Sequence, residues 1–179
     1  MNTGQMMLTL GAMLLLSFLI LRVNSTQLLS QETITDSKLG IVALTIANSY
    51  MDFAKRRVYD AVIADSLHLD PTVALCTAPN ALGPEIGENY PNFDDIDDFN
   101  LWDPALSRLI SIPDTTTLSN ATDPNLFTRF FVTSSVYYVP ESDFESKVNY
   151  KTLFKRIDVR VWTEQMKDTL VYSSIATIW

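Results

Sequence analysis

The stretch MMLTLGAMLLLSFLIL, residues 6–21, decides the fold of this 179-residue chain. It has no charged residue, and the polar residues before it are Asn2, Thr3 and Gln5. A run of this composition predicts an α-helix that is apolar on every side. Since a membrane-spanning helix needs about 20 apolar residues, residues 1–21 reach that length only with the polar start included.

A removed secretory signal is the main alternative for residues 1–23. Such a signal has a basic start, an apolar centre and a cleavage site with small residues. Here no Lys or Arg precedes Arg22, and no Ala-x-Ala pattern follows the apolar run. The sequence therefore favours a retained, membrane-competent helix.

Residues 24–68 predict an amphipathic continuation of this helix, which Asp70-Pro71 ends. A helix over residues 5–68 would be about 96 Å long, more than one domain of the remaining residues can cover. The polar side is assigned Asp52, Lys55, Arg56, Arg57, Asp60 and Asp65. The apolar stripe, in which steps of three and four dominate, consists of Leu39, Val42, Ile46, Tyr50, Phe53, Val58, Ala61 and Leu67.

Residues 69–126 are rich in proline and acidic side chains. Seven of the eight prolines lie here. Between Asp70 and Asn125 the chain has ten acidic residues and one basic residue, Arg108. This composition predicts a long wrapping loop with short strands or turns. The net charge of −8 and the pI of about 4.5 argue against nucleic acid as a partner.

Residues 127–179 predict antiparallel strands over 127–139, 152–163 and 169–178, the last two forming a hairpin. In the second strand we assign Phe154, Ile157, Val159 and Val161 inward and Lys155, Arg156, Asp158 and Arg160 mostly outward. The sheet needs a cover, and the stripe of residues 39–67 is the candidate. The predicted fold class is α+β: a long N-terminal helix whose second half packs on a C-terminal antiparallel sheet.

Nothing in the sequence indicates catalysis. The single histidine, His68, has no partner motif, and no nucleophile elbow or glycine-rich phosphate loop is present. The single cysteine, Cys76, excludes an internal disulfide and is predicted to be a small buried residue. Asn120, in Asn120-Ala121-Thr122, is a candidate glycosylation site.

One constellation has metal-binding chemistry, and calcium is the one cofactor that the sequence suggests. Calcium takes six to eight hard oxygen ligands at flexible geometry, although the spacing here does not match an EF-hand loop. The alternative is that Asp95 or Asp98 caps a turn and pairs with a cation of the sheet such as Arg129 or Arg160. The candidate ligands are Asp94, Asp95, Asp97, Asp98 and Asn100.

The order of these predicted elements along the whole chain resembles the family of type IV pilins and type II secretion pseudopilins. Residues 4–10 resemble a prepilin cleavage region, with Gly4 before the cut and Gln5 after it, and residues 92–100 resemble an acidic loop of minor pilins and MSHA-type pilin proteins. The closing hairpin, residues 154–179, resembles the C-terminal strands of the family.

The resemblance implies a structural, non-enzymatic subunit of an extracellular type IV pilus-like filament on a bacterial cell surface. Its implied partners are copies of itself, the inner membrane before assembly, and the pilus or secretion assembly machinery. Surface acids and the aromatic residues Tyr90, Trp102, Tyr137 and Tyr138 would tune lateral contacts or adhesion. The implied filament core is Met6, Met7, Leu8, Leu10, Met13, Leu14, Leu15, Leu16, Phe18, Leu19, Ile20 and Leu21.

The start of the chain departs from the family pattern. Residues 1–4 have no base, Gln5 stands where phenylalanine is usual, and Thr9 stands where a glutamate is usual. Both cleavage after Gly4 and assembly from an uncut Met1 therefore stay open. Two alternative functions also stay open: a minor pseudopilin of a type II secretion-like system, and a membrane-tethered extracytoplasmic binding module that does not polymerise.

Overall fold

A computed structural model describes residues 3–65, 73–103, 108–109, 112–119 and 127–178. The chain divides into two compact units, Met1–Leu39 and Gly40–Trp179. Helix α1, Thr3–Lys55, supplies the described part of the first unit and enters the second. The predicted α+β class, a long N-terminal helix with an antiparallel sheet, is confirmed.

Helix α1 ends at Lys55, earlier than the predicted end near Leu67. After it, the C=O of Val58 accepts a hydrogen bond from the Ile96 N–H at 3.0 Å, and Val58 forms a parallel bridge with Asp95. A short helix α2, Ala61–Asp65, then begins, and the Asp60 carboxylate accepts from the Val62 N–H at its start. The helix therefore stops because its next residues pair with the acidic loop.

The main sheet of the second unit is antiparallel, and its strands lie in the order β3 (Ile112–Ser119), β4 (Phe127–Tyr138), β5 (Phe154–Trp162) and β6 (Leu170–Thr177). The predicted hairpin of the last two strands is confirmed. The sequence did not predict β3, which contains Pro113 and three threonines and lacks the apolar alternation of the other strands. Strands β1 (Trp102–Asp103) and β2 (Arg108–Leu109) form a separate antiparallel pair.

The last turns of α1 lie against β4 and the acidic loop. The Tyr50 hydroxyl is 3.1 Å from Ser134 Oγ of β4, and its ring meets Phe99 edge-on at 5.3 Å. Phe99, which is fully buried, also contacts Phe53 at 5.9 Å and Phe93 at 5.0 Å. This aromatic cluster joins helix and loop, and each edge-to-face pair adds about 0.5–1.5 kcal/mol beyond area burial.

Replacing Phe99 with alanine should lower the free energy of unfolding of the second unit by about 3–5 kcal/mol, because it empties the centre of the aromatic cluster. Urea unfolding of the full chain in detergent, followed by tryptophan fluorescence, measures the change. The matched control is Ile86→Ala, since Ile86 is a fully exposed apolar residue of the same loop region. Equal losses in the two variants would contradict the role of Phe99.

Candidate functional site

The first candidate site is the apolar surface of α1. All twelve predicted filament-core side chains are exposed, by 53% (Met6) to 80% (Met7), and they cover every side of the helix. By length and composition α1 can cross a membrane. Gly4 and Gln5 lie in its first turns and are exposed. Residues 6–21 therefore form an exposed apolar surface on a helix that is long and apolar enough to cross a membrane.

The polar side chains within this surface are satisfied by their own helix. The Thr9 hydroxyl donates to the C=O of Met6 at 2.9 Å or of Gln5 at 3.1 Å. The Ser17 hydroxyl donates to the C=O of Met13 at 2.9 Å. Because a hydroxyl in hydrocarbon is costly without a hydrogen bond, these local bonds suit a helix in lipid or in a dry bundle.

The second candidate site is the acidic loop, residues 92–100, in the second unit. Asp95 Oδ1 accepts from the N–H groups of Asp97 (2.8 Å) and Asp98 (3.2 Å), and Oδ2 accepts from the Ala61 N–H (2.8 Å). Asp98 Oδ2 accepts from the N–H groups of Asp94 (2.9 Å) and Asp95 (3.2 Å). The predicted turn-capping role of Asp95 and Asp98 is confirmed.

The loop is held to the sheet by Lys155 of β5, whose side chain is fully buried. Its Nζ donates to Asp97 Oδ1 at 2.7 Å, to Asp60 Oδ2 at 3.0 Å and to the C=O of Tyr59 at 2.9 Å. All three donors of the ammonium group are thus used. It also lies 4.4 Å from the centre of the Tyr59 ring.

Two sequence-based assignments were wrong here. Lys155 and Asp60 were placed outward and are buried, because each satisfies the charge of the other away from water. The loop was predicted to pair with a cation of the sheet, such as Arg129 or Arg160, through Asp95 or Asp98; a sheet cation is indeed the partner, but it is Lys155 and the acid is Asp97. Arg160 instead contacts Ser135 Oγ at 3.3 Å.

Burial shifts the titration of the loop carboxyls. Burial and the charge of Asp97 raise the pKa of Asp95 to about 8, against the Ala61 N–H, which lowers it. Burial also raises the pKa of Asp98, against the N–H groups of Asp95 and Asp94. Desolvation and contacts with the Glu88 and Asp98 carboxyls raise the pKa of Glu85 to about 7. The protonated form of Asp95 and Asp98 in the loop, and of Glu85 beside it, is therefore favoured unless a cation is close.

The five predicted metal ligands do not all meet. Asp97 is taken by Lys155, and the Asn100 amide binds the C=O of Leu82 (2.8 Å) and the Val136 N–H (3.3 Å). Asp94, Asp95 and Asp98 offer oxygens within 4.8 Å of one another, and so do Glu85, Glu88 and Asp98. Sequence reasoning missed Glu85 and Glu88, although a glycine between two glutamates is a turn signal that brings them together.

Of the aromatic residues predicted to lie on the surface, Tyr90 is exposed and Tyr137 is half-buried, but Tyr138 is fully buried and its hydroxyl donates to the C=O of Thr77. Cys76 is buried as predicted, and burial raises the pKa of its thiol. Asn120 and His68 lie outside the described residues.

Comparison with models of protein families, with curated proteins and with solved structures gave no match.

Replacing Lys155 with methionine should lower the free energy of unfolding by about 3–5 kcal/mol, because it leaves Asp60 and Asp97 buried without their cation. Arg160→Met is the matched control on the same strand and should cost less than about 1 kcal/mol, since Arg160 is half-exposed. Urea unfolding of the full chain in detergent at neutral pH measures both. A Lys155 variant as stable as the Arg160 variant would contradict the central role of the ammonium group.

The raised pKa of Asp95 predicts a pH dependence of stability. Its folded pKa of about 8 exceeds the unfolded value near 4, so the folded state holds the proton longer and stability falls as pH rises from about 4 to about 8. Asp95→Asn removes this titration and should give a shallower slope across that window. Urea unfolding at several pH values, with a chelator present, tests it, and parallel slopes for the two proteins would refute it.

Proposed function

We propose that this chain is a non-enzymatic structural subunit of an extracellular type IV pilus-like filament on a bacterial cell surface. The observation that carries the proposal is the exposed apolar surface of α1 over residues 6–21. Leaving one large apolar side chain in water costs about 1.5–3 kcal/mol relative to burial, and this surface has twelve. Lipid before assembly and copies of the same helix after it would both meet this demand.

The distribution of apolar residues favours many partners over one. A helix that pairs with one neighbour needs an apolar stripe, whereas a helix that is apolar all round is buried on all sides. In a repeated, non-closing contact, each copy meets neighbours on more than one face, and the assembly grows as an open helix. The inner membrane and an assembly machinery are the partners that such a route requires.

The acidic second unit suits the aqueous side of this assembly. Its buried residues form a core of their own around the aromatic cluster and Lys155. Stability of this unit therefore has its own source, independent of the apolar surface of residues 6–21.

One observation favours a second candidate, a minor pseudopilin of a type II secretion-like system. The residue that resembles the position of the family glutamate is Thr9, and its hydroxyl bonds within its own helix. Because threonine is neutral, Thr9 offers no charge to attract the amine of a neighbouring copy. The usual alignment of copies in the fibre is therefore weakened. Such a subunit would be scarce in the fibre.

The arrangement of copies can be tested with two cysteines per chain. Leu14 and Leu16 lie about 200° apart around α1, so Leu14→Cys with Leu16→Cys, in a Cys76→Ala background, should give a ladder well beyond dimers after mild oxidation of cells. The ladder is read by electrophoresis without reductant, and fibres are sought by negative-stain microscopy of the sheared surface fraction. The matched control places both cysteines at the exposed Glu141 and Glu164 and should give no ladder.

Each outcome separates the candidates. Fibres in which this chain is the main band by mass spectrometry support a major subunit, whereas a trace in fibres made of another subunit supports the minor pseudopilin. Oxidised monomers without fibres support a tethered binding module and refute polymerisation. Dimers alone refute an open helix.

A further inference from the structure

Strand β6, Leu170–Thr177, forms one edge of the main sheet, and its outer side pairs with no strand among the described residues. All eight of its residues pair with β5 without a register shift. The strand contains no charged residue and no proline, and none of its side chains is buried. Natural proteins block open edges with lysine, proline, bulges or very short strands, and β6 has none of these features.

The opposite edge of the same sheet is protected in ways that β6 is not. Strand β3 contains Pro113, which has no N–H to offer to a further strand. The pairing of β3 with β4 also shifts register between Pro113 and Thr117. Of the two edges that the structure describes, β6 is therefore the one to which another strand can add by main-chain hydrogen bonds.

A basic cavity lies beside the end of β6. It has a volume of about 250 Å³, its lining includes Lys55, Arg57 and residues 174–177, and no carboxylate is among its described lining residues. The Arg57 guanidinium lies 4.4 Å from the centre of the Phe53 ring, and its Nε is enclosed without a hydrogen-bond partner in the described part of the chain. An enclosed charged donor without an acceptor is costly, and an anion in the cavity would remove that cost.

The beginning of β6 has an acidic side chain. Asp168, two residues before the strand, is exposed and forms no ion pair with any described residue. The turn in which it lies also contains Glu164, which is exposed, and Lys167, so acids outnumber bases there. The strand therefore runs from an acidic turn to a basic cavity.

We propose that β6 pairs with β6 of a second copy of this chain. Identical strands that pair across a two-fold axis are antiparallel, so the beginning of each strand lies beside the end of the other. With the axis between Tyr172 and Ser173, Asp168 of the second copy lies opposite Thr177, beside the basic cavity. The two-fold axis repeats this contact at the other end, so each copy supplies one acid and receives one.

The charges of the strand ends favour a second copy as the partner. In the antiparallel pair each acidic turn meets a basic cavity, whereas a parallel pair would place like charges together. The result is one sheet of eight strands made from two sheets of four. Because an isologous contact closes on itself, it differs from the open contact proposed for residues 6–21 and does not depend on the fibre.

Charge reversal tests the contact in the full chain in detergent, with dimerisation measured by analytical ultracentrifugation. Arg57→Glu and Asp168→Arg should each weaken dimerisation about tenfold or more, because each places like charges together. The double variant exchanges the two charges and should recover most of the wild-type affinity. Arg56→Glu is the matched control and should dimerise like the wild type, since Arg56 is exposed and does not line the cavity.

A cysteine near the two-fold axis provides the second measurement. Ser173→Cys, in a Cys76→Ala background, should give disulfide-linked dimers after mild oxidation of the purified chain. The matched control is Ser142→Cys, at an exposed turn outside the strands, and should stay monomeric. The proposal is overturned if the two cysteine variants give equal amounts of dimer, or if the double charge variant stays as weak as the single ones. Neither result depends on the ladder from positions 14 and 16, so each proposal can fail alone.

Discussion

One buried ammonium group holds together three distant parts of the second unit. Lys155 of β5 binds Asp60 and the Tyr59 carbonyl just after α1, and it binds Asp97 in the acidic loop. The effective cost of taking an ion out of water is several kcal/mol. If one of the three segments moved away, a charge would be left without its partner in an apolar core. The aromatic cluster around Phe99 and the capped turn at Asp95 both lie on segments that this contact positions.

The burial of Lys155 could have been predicted from strand period. Side chains two residues apart share a face, and Ile157, Val159 and Val161 are all buried, so Lys155 has their parity. The sequence reasoning instead grouped Phe154 with them because it preferred an apolar residue to a charged one. Phe154 is in fact half-buried on the other face. The two-residue period of the strand was a stronger signal than the charge of Lys155. A charged residue at an inward-facing position itself marks the structural centre of the unit.

Elements that are encoded by neighbouring residues could be predicted from the sequence. Features that depend on contacts between distant residues could not. The apolar helix is one continuous apolar run, and the last hairpin carries its alternation in consecutive residues, which is why both were predicted. The end of α1 at Lys55 depends on Val58 meeting Asp95 and Ile96, some forty residues away. No local signal in an otherwise helical pattern encodes that pairing. The Glu85–Glu88–Asp98 contact is of the same kind, since only its turn is locally encoded.

The two units satisfy their polar groups in different ways, and this difference bears on assembly. In the first unit, the Thr9 and Ser17 hydroxyls bind carbonyls three or four residues earlier, so their hydrogen bonds are the same whatever surrounds the helix. In the second unit, Lys155, Asp60 and Asp97 depend on partners far along the chain. The hydrogen bonds of these helix side chains are therefore local, whereas those of the second unit join distant segments of the chain. The transfer from bilayer to fibre that we propose would require this division, because the part that changes surroundings must not be the part that holds the fold.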